Sequence, residues 1–163
     1  MNLKLDNAFF EQLLIKANES PRKRSHFNLH SELDEPVQRL CIALKKGTYV
    51  CPHHHPKSNK WELMLPLRGQ VAIVIFNEDG KILEKQTLGE GEALRGIELE
   101  PNTWHTLYPV SDDVILLEVK EGPFTPTDQS DFASWAPNEG ESGVAEFLKW
   151  LKLAEEGEQY RVK

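Results

Sequence analysis

The sequence predicts an all-β fold, an antiparallel sandwich or barrel, with one helix before it and one after it. Between Val37 and Lys120, short apolar or alternating runs recur about every ten residues, and breakers such as Gly89-Glu90-Gly91 separate them. Short strands at this spacing are typical of a sandwich or a barrel. The length of 163 residues suits one domain, because a chain of this size buries roughly 70% of its unfolded surface without disulfides.

The chain is expected to divide into three segments of a single domain. Residues 1–36 hold a short helix from Asp6 to about Asn18, in which apolar residues recur every three or four positions, and then an irregular polar stretch. Residues 37–122 form the barrel. Residues 123–163 hold a proline-rich loop and a helix from about Ser142 to Glu156 with one apolar stripe.

The barrel segment contains eight predicted strands. They cover residues 37–44, 48–55, 61–67, 71–76, 81–88, 93–99, 103–108 and 114–120. The run 71–76 is apolar on both faces, whereas an antiparallel strand with one solvent-exposed face alternates. Its outer face therefore needs a cover, either the terminal helices or a second subunit. The second alternative predicts a homodimer.

Composition and charge exclude several classes of protein. An apolar content of 39% excludes a coiled coil, a collagen-like fibre and a disordered chain. No apolar run approaches the ~20 residues of a membrane-spanning helix. A net charge of -7 argues against binding to nucleic acid or to an anionic membrane. Because the first residues do not resemble a secretion signal, we expect a cytoplasmic protein in which Cys41 and Cys51 are free thiols.

Three adjacent histidines and two later residues carry the strongest functional signal. Alternate side chains of a strand share a face, so His53 and His55 point one way and His54 the other. The next strand carries Glu62, and His105 opens a later one. Imidazoles with a carboxylate suit a borderline divalent metal. We therefore expect one divalent transition metal per chain, Fe, Mn, Ni or Zn, bound by His53, His55, Glu62 and His105.

The same residues resemble the cupins, small jelly-roll barrels that are also called double-stranded β-helices. The first cupin motif places a glycine, two histidines, a glutamate and a second glycine in fixed order. These positions are filled here by Gly47, His53, His55, Glu62 and Gly69, with a longer gap than usual before the glutamate. The second motif keeps its histidine at position 105, and Asn102 stands where glycine is expected.

Further matches resemble the WbuC family of cupin metalloproteins over about residues 20–150. They are Arg24–His30, Pro36–Arg39, Asn59–Glu62, Thr103–His105 and Val119–Pro123. The resemblance implies a bacterial metal-binding jelly roll, often encoded near surface-polysaccharide genes, without an established reaction. It implies that the ligand is a small polar molecule related to carbohydrates.

Several other side chains are candidates for contacting a substrate, and each has a structural alternative. Tyr49 shares the predicted face of His53, so it either reaches a substrate as a catalytic group or fills the barrel. Lys60 and Arg95 either attract an anionic ligand or lie on the surface. His26 and His30 either fold over a barrel mouth, of this chain or of a partner, or are surface histidines.

The last predicted strand leaves a similar choice open. Glu118 and Lys120 share one of its faces. They are a base and an electrostatic partner if that face points inward, and an exposed ion pair of little energetic value if it points outward.

The reaction stays open between alternatives of different classes. In a non-redox enzyme the metal polarises a carbonyl or hydroxyl group while Glu62 or Tyr49 moves a proton, which gives an isomerase or epimerase. In a redox enzyme Fe(II) activates dioxygen, which gives a dioxygenase. In a binding or sensing module the metal only shapes the pocket.

Overall fold

The computed structural model describes residues 2–161 and consists of two antiparallel sheets with a helix at each end of the chain. The five-stranded sheet has the order β1-β2-β8-β3-β6, and the three-stranded sheet has the order β5-β4-β7. The elements are α1 (Asn7–Glu19), β1 (Arg24–Asn28), β2 (Val37–Lys45), β3 (Glu62–Arg68), β4 (Gln70–Phe76), β5 (Ile82–Gly89), β6 (Ile97–Leu99), β7 (Trp104–Pro109), β8 (Asp113–Glu121) and α2 (Val144–Leu153).

This architecture confirms the predicted all-β jelly roll with a helix before it and one after it. The interior between the two sheets is apolar. It contains Leu44, Met64, Val71, Ile73, Leu88, Leu99, Leu107, Val114 and Leu116. Within the described residues, neither helix has both the length and the apolar character needed to cross a bilayer.

The strand prediction is wrong at two places. Residues 48–55 form no regular strand, and only His53 pairs there, through isolated bridges to His105 and Phe132. Pro52 interrupts this stretch and cannot donate to a ladder. Conversely, the polar stretch before the barrel contains β1, an edge strand that pairs with β2 from Arg24 opposite Leu44 to Asn28 opposite Leu40. Apolar and polar residues do not alternate along β1, so the strand is recognised only by its pairing with β2.

The outer faces of both sheets are covered by the chain's own helices. Ala72, Val74 and Phe76 of β4 pack in one cluster with Phe147 and Leu151 of α2. The run 71–76, which is apolar on both faces, is therefore covered by a terminal helix, which is the first of the two predicted alternatives. That strand gives no ground for a second subunit, and the homodimer stays a prediction.

The N-terminal helix covers the other sheet. Its apolar side packs on Cys41 and Ala43 of β2 and on Ile115 of β8. The helix begins where Asp6 caps it by accepting a hydrogen bond from the Phe9 N–H at 3.0 Å. Cys41 and Cys51 are both buried and free, as predicted.

Three motif positions, Gly47, Gly69 and Asn102, have left-handed backbone conformations. Gly69, between β3 and β4, has a φ of 72°, and a Cβ there would collide with the carbonyl oxygen of Asp113. Asn102, with a φ of 64°, forms the turn before β7, where the cupin motif has glycine. Asparagine tolerates this region better than most residues, which accounts for the substitution. The turn thus delivers His105 to the start of β7.

Candidate metal centre

Three histidines predicted as ligands lie together in the described structure. One ring nitrogen from each of His53, His55 and His105 lies within 4.8 Å of the others. The backbones of His53 and His105 exchange two hydrogen bonds, of 3.0 and 2.9 Å, which place these side chains opposite each other. His53 and His55 then reach the same side because one extended residue separates them.

The intervening histidine points away from the cluster, as predicted. The ring of His54 stacks on Trp104 with centroids 3.9 Å apart. Its Nδ1 is 2.7 Å from Oδ1 of Asn102, which accepts the hydrogen bond. His54 is therefore part of the packing behind the turn.

Backbone carbonyls orient two of the imidazoles for coordination. Nδ1 of His53 lies 2.9 Å from the Cys51 carbonyl, and Nδ1 of His105 lies 2.9 Å from the Thr103 carbonyl. Because a carbonyl oxygen only accepts, each Nδ1 carries the proton of the neutral ring. Each Nε2 therefore has a free lone pair, which is the form in which histidine binds a metal.

Glu62 lies against this cluster. Its side chain is buried, with Oε1 3.1 Å from Nε2 of His55 and Oε2 3.2 Å from Nε2 of His105. The group whose ligand atoms all lie within 4.8 Å contains the three histidines without Glu62. The carboxylate is thus beside two of the imidazoles, and its role as a fourth ligand stays a prediction.

The buried atoms of this cluster fit a cation. Nε2 of His55 and Oε2 of Glu62 have no hydrogen-bond partner among the described residues, although each lies close to a polar atom. Lone pairs that face each other in a buried site repel, and unsatisfied polar atoms are rare in protein interiors. A divalent ion between these atoms would satisfy both of them, so the residues present fit a metal.

The side chains of this cluster strongly shift one another's pKa values. Burial and the neighbouring His105 and His55 lower the pKa of His53 to about 3, so that ring is neutral. Burial alone would raise the pKa of Glu62, but the neighbouring rings of His105 and His55 and the charge of Lys120 hold it well below its ordinary value. Burial opposes a charge on His105 as well, but Glu62 outweighs it and raises the pKa of His105. Glu62 is therefore the anionic centre of the site.

A lysine links this carboxylate to a second one. Nζ of Lys120 is 3.1 Å from Oε1 of Glu62 and 2.6 Å from Oε1 of Glu118. Burial alone would lower the pKa of Lys120, but the two carboxylates outweigh it and raise the pKa above the ordinary range. Glu118 and Lys120 therefore face inward, and their roles as a base and its electrostatic partner stay a prediction.

The cluster opens into a cavity of about 470 Å³ inside the barrel. The strand register places Gln38, Lys120 and Glu62 side by side across β2, β8 and β3. The remaining wall combines polar residues near β1, among them Arg24, Ser25 and Asn28, with the aliphatic residues Leu40, Ile42, Leu44, Val50, Met64 and Leu107. A volume in this range suits a small organic ligand.

Two of the predicted substrate contacts line this cavity. His26 and His30 both face it, and β1 pairs with β2 of the same chain, so the N-terminal segment closes its own barrel. Lys60 lies at a smaller adjoining cavity of about 50 Å³ beside His55. Its ammonium donates to the carbonyls of Glu121 and Pro123 at 2.9 and 2.7 Å, which holds it at the rim.

Two other predicted contacts lie elsewhere, and these predictions need correction. The hydroxyl of Tyr49 donates to the Pro137 carbonyl at 2.6 Å, and its ring packs against Phe147 under α2. Tyr49 and His53 would share a face only in a regular strand, and residues 48–55 do not form one. Arg95 donates to the Gly89 carbonyl at 2.9 Å and lines a groove beside α1, away from the histidines.

Gln38 also lines the cavity, but the sequence did not identify it as a candidate site residue. It is buried near the start of β2, where its amide donates to the carbonyls of Leu33 and Glu35. The signal was present in the chain, since Gln38 alternates with Leu40 and Ile42 on one face of a strand. Which face points inward is decided by pairing with β8.

The family comparison matches residues 5–88, just over half of the chain, to the model of a domain of unknown function, DUF6016. No curated protein matches the sequence. The chain therefore belongs to the DUF6016 family.

Solved structures with a similar fold come from distant relatives. TT1209 from Thermus thermophilus is 19% identical, with a TM-score of 0.54 over 74% of this chain and 97% of that chain. A mutant of the salicylate 1,2-dioxygenase from Pseudoaminobacter salicylatoxidans is 12% identical, with a TM-score of 0.54 over 71% of this chain and 34% of that chain.

A third similar structure is described as an RmlC-like cupin family protein with a double-stranded beta-helix fold, from Methanocaldococcus jannaschii. It is 18% identical, with a TM-score of 0.47 over 61% of this chain and 81% of that chain.

Proposed function

We propose that this member of the DUF6016 family binds one divalent transition metal and uses it to bind or transform a small molecule in the barrel cavity. His53, His55 and His105 would bind the metal, with Glu62 as the fourth ligand. The observation that carries the proposal is the group of three ring nitrogens within 4.8 Å of one another, beside a buried carboxylate oxygen without a partner.

The bound metal would polarise a carbonyl or hydroxyl group of the ligand or, as Fe(II), support a reaction with dioxygen. The chain supplies the surroundings. Carbonyls of Cys51 and Thr103 orient two imidazoles, and Lys120 holds Oε1 of Glu62. Glu62 is the candidate catalytic group, since its carboxylate is at the centre and is ionised. The proposed reaction in the non-redox case is isomerisation or epimerisation.

The finer identity of the ligand rests on sequence resemblance. Similarity to the WbuC family supports a carbohydrate-related ligand and a role in bacterial surface-polysaccharide metabolism. We also propose that the protein is cytoplasmic and forms a homodimer. Sedimentation equilibrium at micromolar concentration tests the dimer, and a monomer mass would contradict it.

A dioxygenase is the second candidate. If the three histidines alone bind iron, an octahedral ion keeps three positions for a substrate and dioxygen. Oxygen consumption by the iron-loaded protein with candidate substrates separates this case from isomerisation. Ligand binding without turnover would leave the third candidate, a non-catalytic binding module.

Cobalt substitution tests the proposed centre directly. We expect Co²⁺ to give visible absorption bands at one equivalent per chain, and azide to shift them, because a site that binds a ligand keeps open positions. His105→Ala should abolish the bands. His54→Ala, in which the altered ring lies on Trp104, is the matched control and should keep them. Unchanged bands in His105→Ala would contradict the proposal.

A further inference from the structure

Glu118 places a carboxylate on an otherwise apolar part of the cavity wall. It lies on β8 and lines the cavity, with 9% of its side chain exposed. The strand register puts Leu40 of β2 on one side of it and Met64 of β3 on the other. Neither neighbouring side chain can donate a hydrogen bond. A buried carboxylate with such neighbours needs donors from elsewhere.

The chain supplies a donor to one of the two carboxylate oxygens. Oε1 of Glu118 lies 2.6 Å from Nζ of Lys120, whereas no group in the described part of the chain donates a hydrogen bond to Oε2. Glu118 differs here from Glu62, whose Oε2 is unpartnered and closed off from solvent; Oε2 of Glu118 is not closed off in this way. Since the side chain points inward, Oε2 is an acceptor that opens to the cavity.

This acceptor lies next to the candidate metal centre. Nζ of Lys120 also contacts Oε1 of Glu62, at 3.1 Å, so a single ammonium group separates the two carboxylates. The next pair inward along β2 and β8 is Ile42 opposite Leu116, which is apolar. A small molecule bound at the histidines therefore has the Glu118 carboxylate within reach as its next polar contact on this wall.

We infer that Glu118 selects a ligand that carries a hydroxyl group near its metal-binding group. The hydroxyl would donate to Oε2, the carboxylate oxygen that lacks a donor. A neutral hydroxyl fits better than an ammonium group, because Lys120 already places a positive charge at this carboxylate. An ether or carbonyl oxygen has no proton to donate and would meet the lone pairs of Oε2.

The inference rests on the proposed function and narrows the ligand class to hydroxylated molecules. Two sources share this chemistry, a hydroxy acid and a sugar derivative. Both carry oxygens for the metal and a hydroxyl on a nearby carbon. The experiment below therefore contains a pair of probes for each source.

Glu118→Gln reverses the hydrogen-bonding character of the group that faces the cavity. Because the ammonium of Lys120 only donates, the amide oxygen takes the place of Oε1 and the amide NH₂ takes the place of Oε2. Glu118→Met is a second variant, which extends the apolar row and removes the acceptor without adding a donor. Glu98→Gln is the matched control, since Glu98 is exposed on β6, opposite Leu63 on the other face of the same sheet.

The test titrates the cobalt-loaded protein with paired probes and follows the visible bands. The pairs are lactate with 2-methoxypropanoate, 3-hydroxybutyrate with 3-methoxybutyrate, and glucose with 3-O-methylglucose. Each ether keeps the oxygen and loses the donor. The wild type should bind the hydroxyl compound of at least one pair more tightly. Thermal unfolding and uptake of one equivalent of Co²⁺ check that each variant folds and keeps the centre.

The measured quantity is the dissociation constant of the ether divided by that of the hydroxyl compound. Comparing this ratio between variants cancels the metal's own preference and the size of the methyl group. We expect the ratio to fall about tenfold or more in Glu118→Gln, because a hydrogen bond to a charged group is lost. It should also fall in Glu118→Met and stay unchanged in Glu98→Gln.

The outcomes separate this inference from the proposed function. A fall in the ratio for an acid pair supports a hydroxy acid, and a fall for the glucose pair supports a sugar derivative. A wild type that prefers no hydroxyl compound, or a ratio that is the same in wild type and both Glu118 variants, would overturn the inference and leave the metal centre standing. Absence of cobalt bands in the wild type would overturn the proposed function and this inference with it.

Discussion

Glu62 is enclosed by two imidazoles and one ammonium group, and this arrangement connects the metal centre to the rest of the cavity. Its two carboxylate oxygens divide their contacts between His55, His105 and Lys120. Lys120 in turn contacts Glu118. Without a metal, the lysine is the cation that neutralises both buried carboxylates.

Removal of this lysine charge should destabilise the metal-free protein. In Lys120→Met, Glu62 and Glu118 lose their shared cation, and breaking a buried ion pair costs about 3–5 kcal/mol. We expect urea unfolding in the presence of a chelator to show this loss at neutral pH. Two unpaired carboxylates repel, so the loss should shrink as the pH falls and protonates them.

Lys149→Met is the matched control, since Lys149 is exposed on α2. It should change the free energy of unfolding by no more than about 0.5 kcal/mol. A Lys120→Met protein as stable as the wild type would show that the two carboxylates do not depend on Lys120.

The histidines could be predicted from the sequence because spacing alone fixes their relative orientation. His53, His54 and His55 alternate in any extended conformation, so the prediction did not require a regular strand. The positions of Tyr49 and Lys120 could not be predicted in this way. Tyr49 precedes Pro52, where the regular alternation of side chains between two faces is interrupted. Whether Lys120 points inward depends on which strands pair with β8.

At the scale of elements, α2 acts as the cover of the smaller sheet. Phe147 is completely buried, with its ring against Tyr49 and Tyr160. Leu151 is buried one turn later against the same sheet cluster. The helix thus removes from solvent the face of β4 whose apolar pattern predicted a cover. The sequence could not decide between a helix and a subunit, because both cover an apolar face equally well.

Truncation on this face should be costly. Phe147→Ala removes a buried ring and leaves a cavity under β4, which lowers the free energy of unfolding by about 3–5 kcal/mol. Chemical denaturation measures the change. Leu153→Ala, at a residue that is 73% exposed on the same helix, should stay within about 0.5 kcal/mol. Equal effects of the two substitutions would contradict the covering role of α2.

At the scale of the whole molecule, one ion cluster joins the two ends of the chain. Glu139, in the segment before α2, contacts Arg22 at 2.7 Å and also pairs with Arg24 of β1. Arg24 donates to the Tyr49 carbonyl as well, at 2.5 Å. The cluster connects the N-terminal segment, the histidine-bearing segment and the C-terminal loop. No local pattern predicts it, because the partners are more than 100 residues apart in the sequence.

The cluster should make stability depend on pH. Burial alone would raise the pKa of Glu139, but hydrogen bonds from Arg22 and Arg24 outweigh it and lower the pKa. A lowered carboxyl pKa adds stability above the unfolded value of about 4.3, and this stability disappears as the pH falls through the folded value. Glu139→Gln should therefore be less stable than the wild type at pH 7, by about 1 kcal/mol because Arg22 is largely exposed.

Urea unfolding at a series of pH values measures the difference, which should vanish in acid. Glu19→Gln, at an exposed residue of α1, is the control and should show no such trend. A Glu139→Gln difference that is independent of pH would rule out the ionised carboxylate as its source.

Elemental analysis of untagged protein is the first measurement to make on the metal centre. We expect about one equivalent of Fe, Mn, Ni or Zn per chain in the wild type, and retention of that metal in His54→Ala. The metal should be lost in His53→Ala and His55→Ala, and its loss in Glu62→Ala would establish the fourth ligand. Wild-type protein that neither carries nor takes up a metal, or His53→Ala protein that keeps it, would contradict the claim.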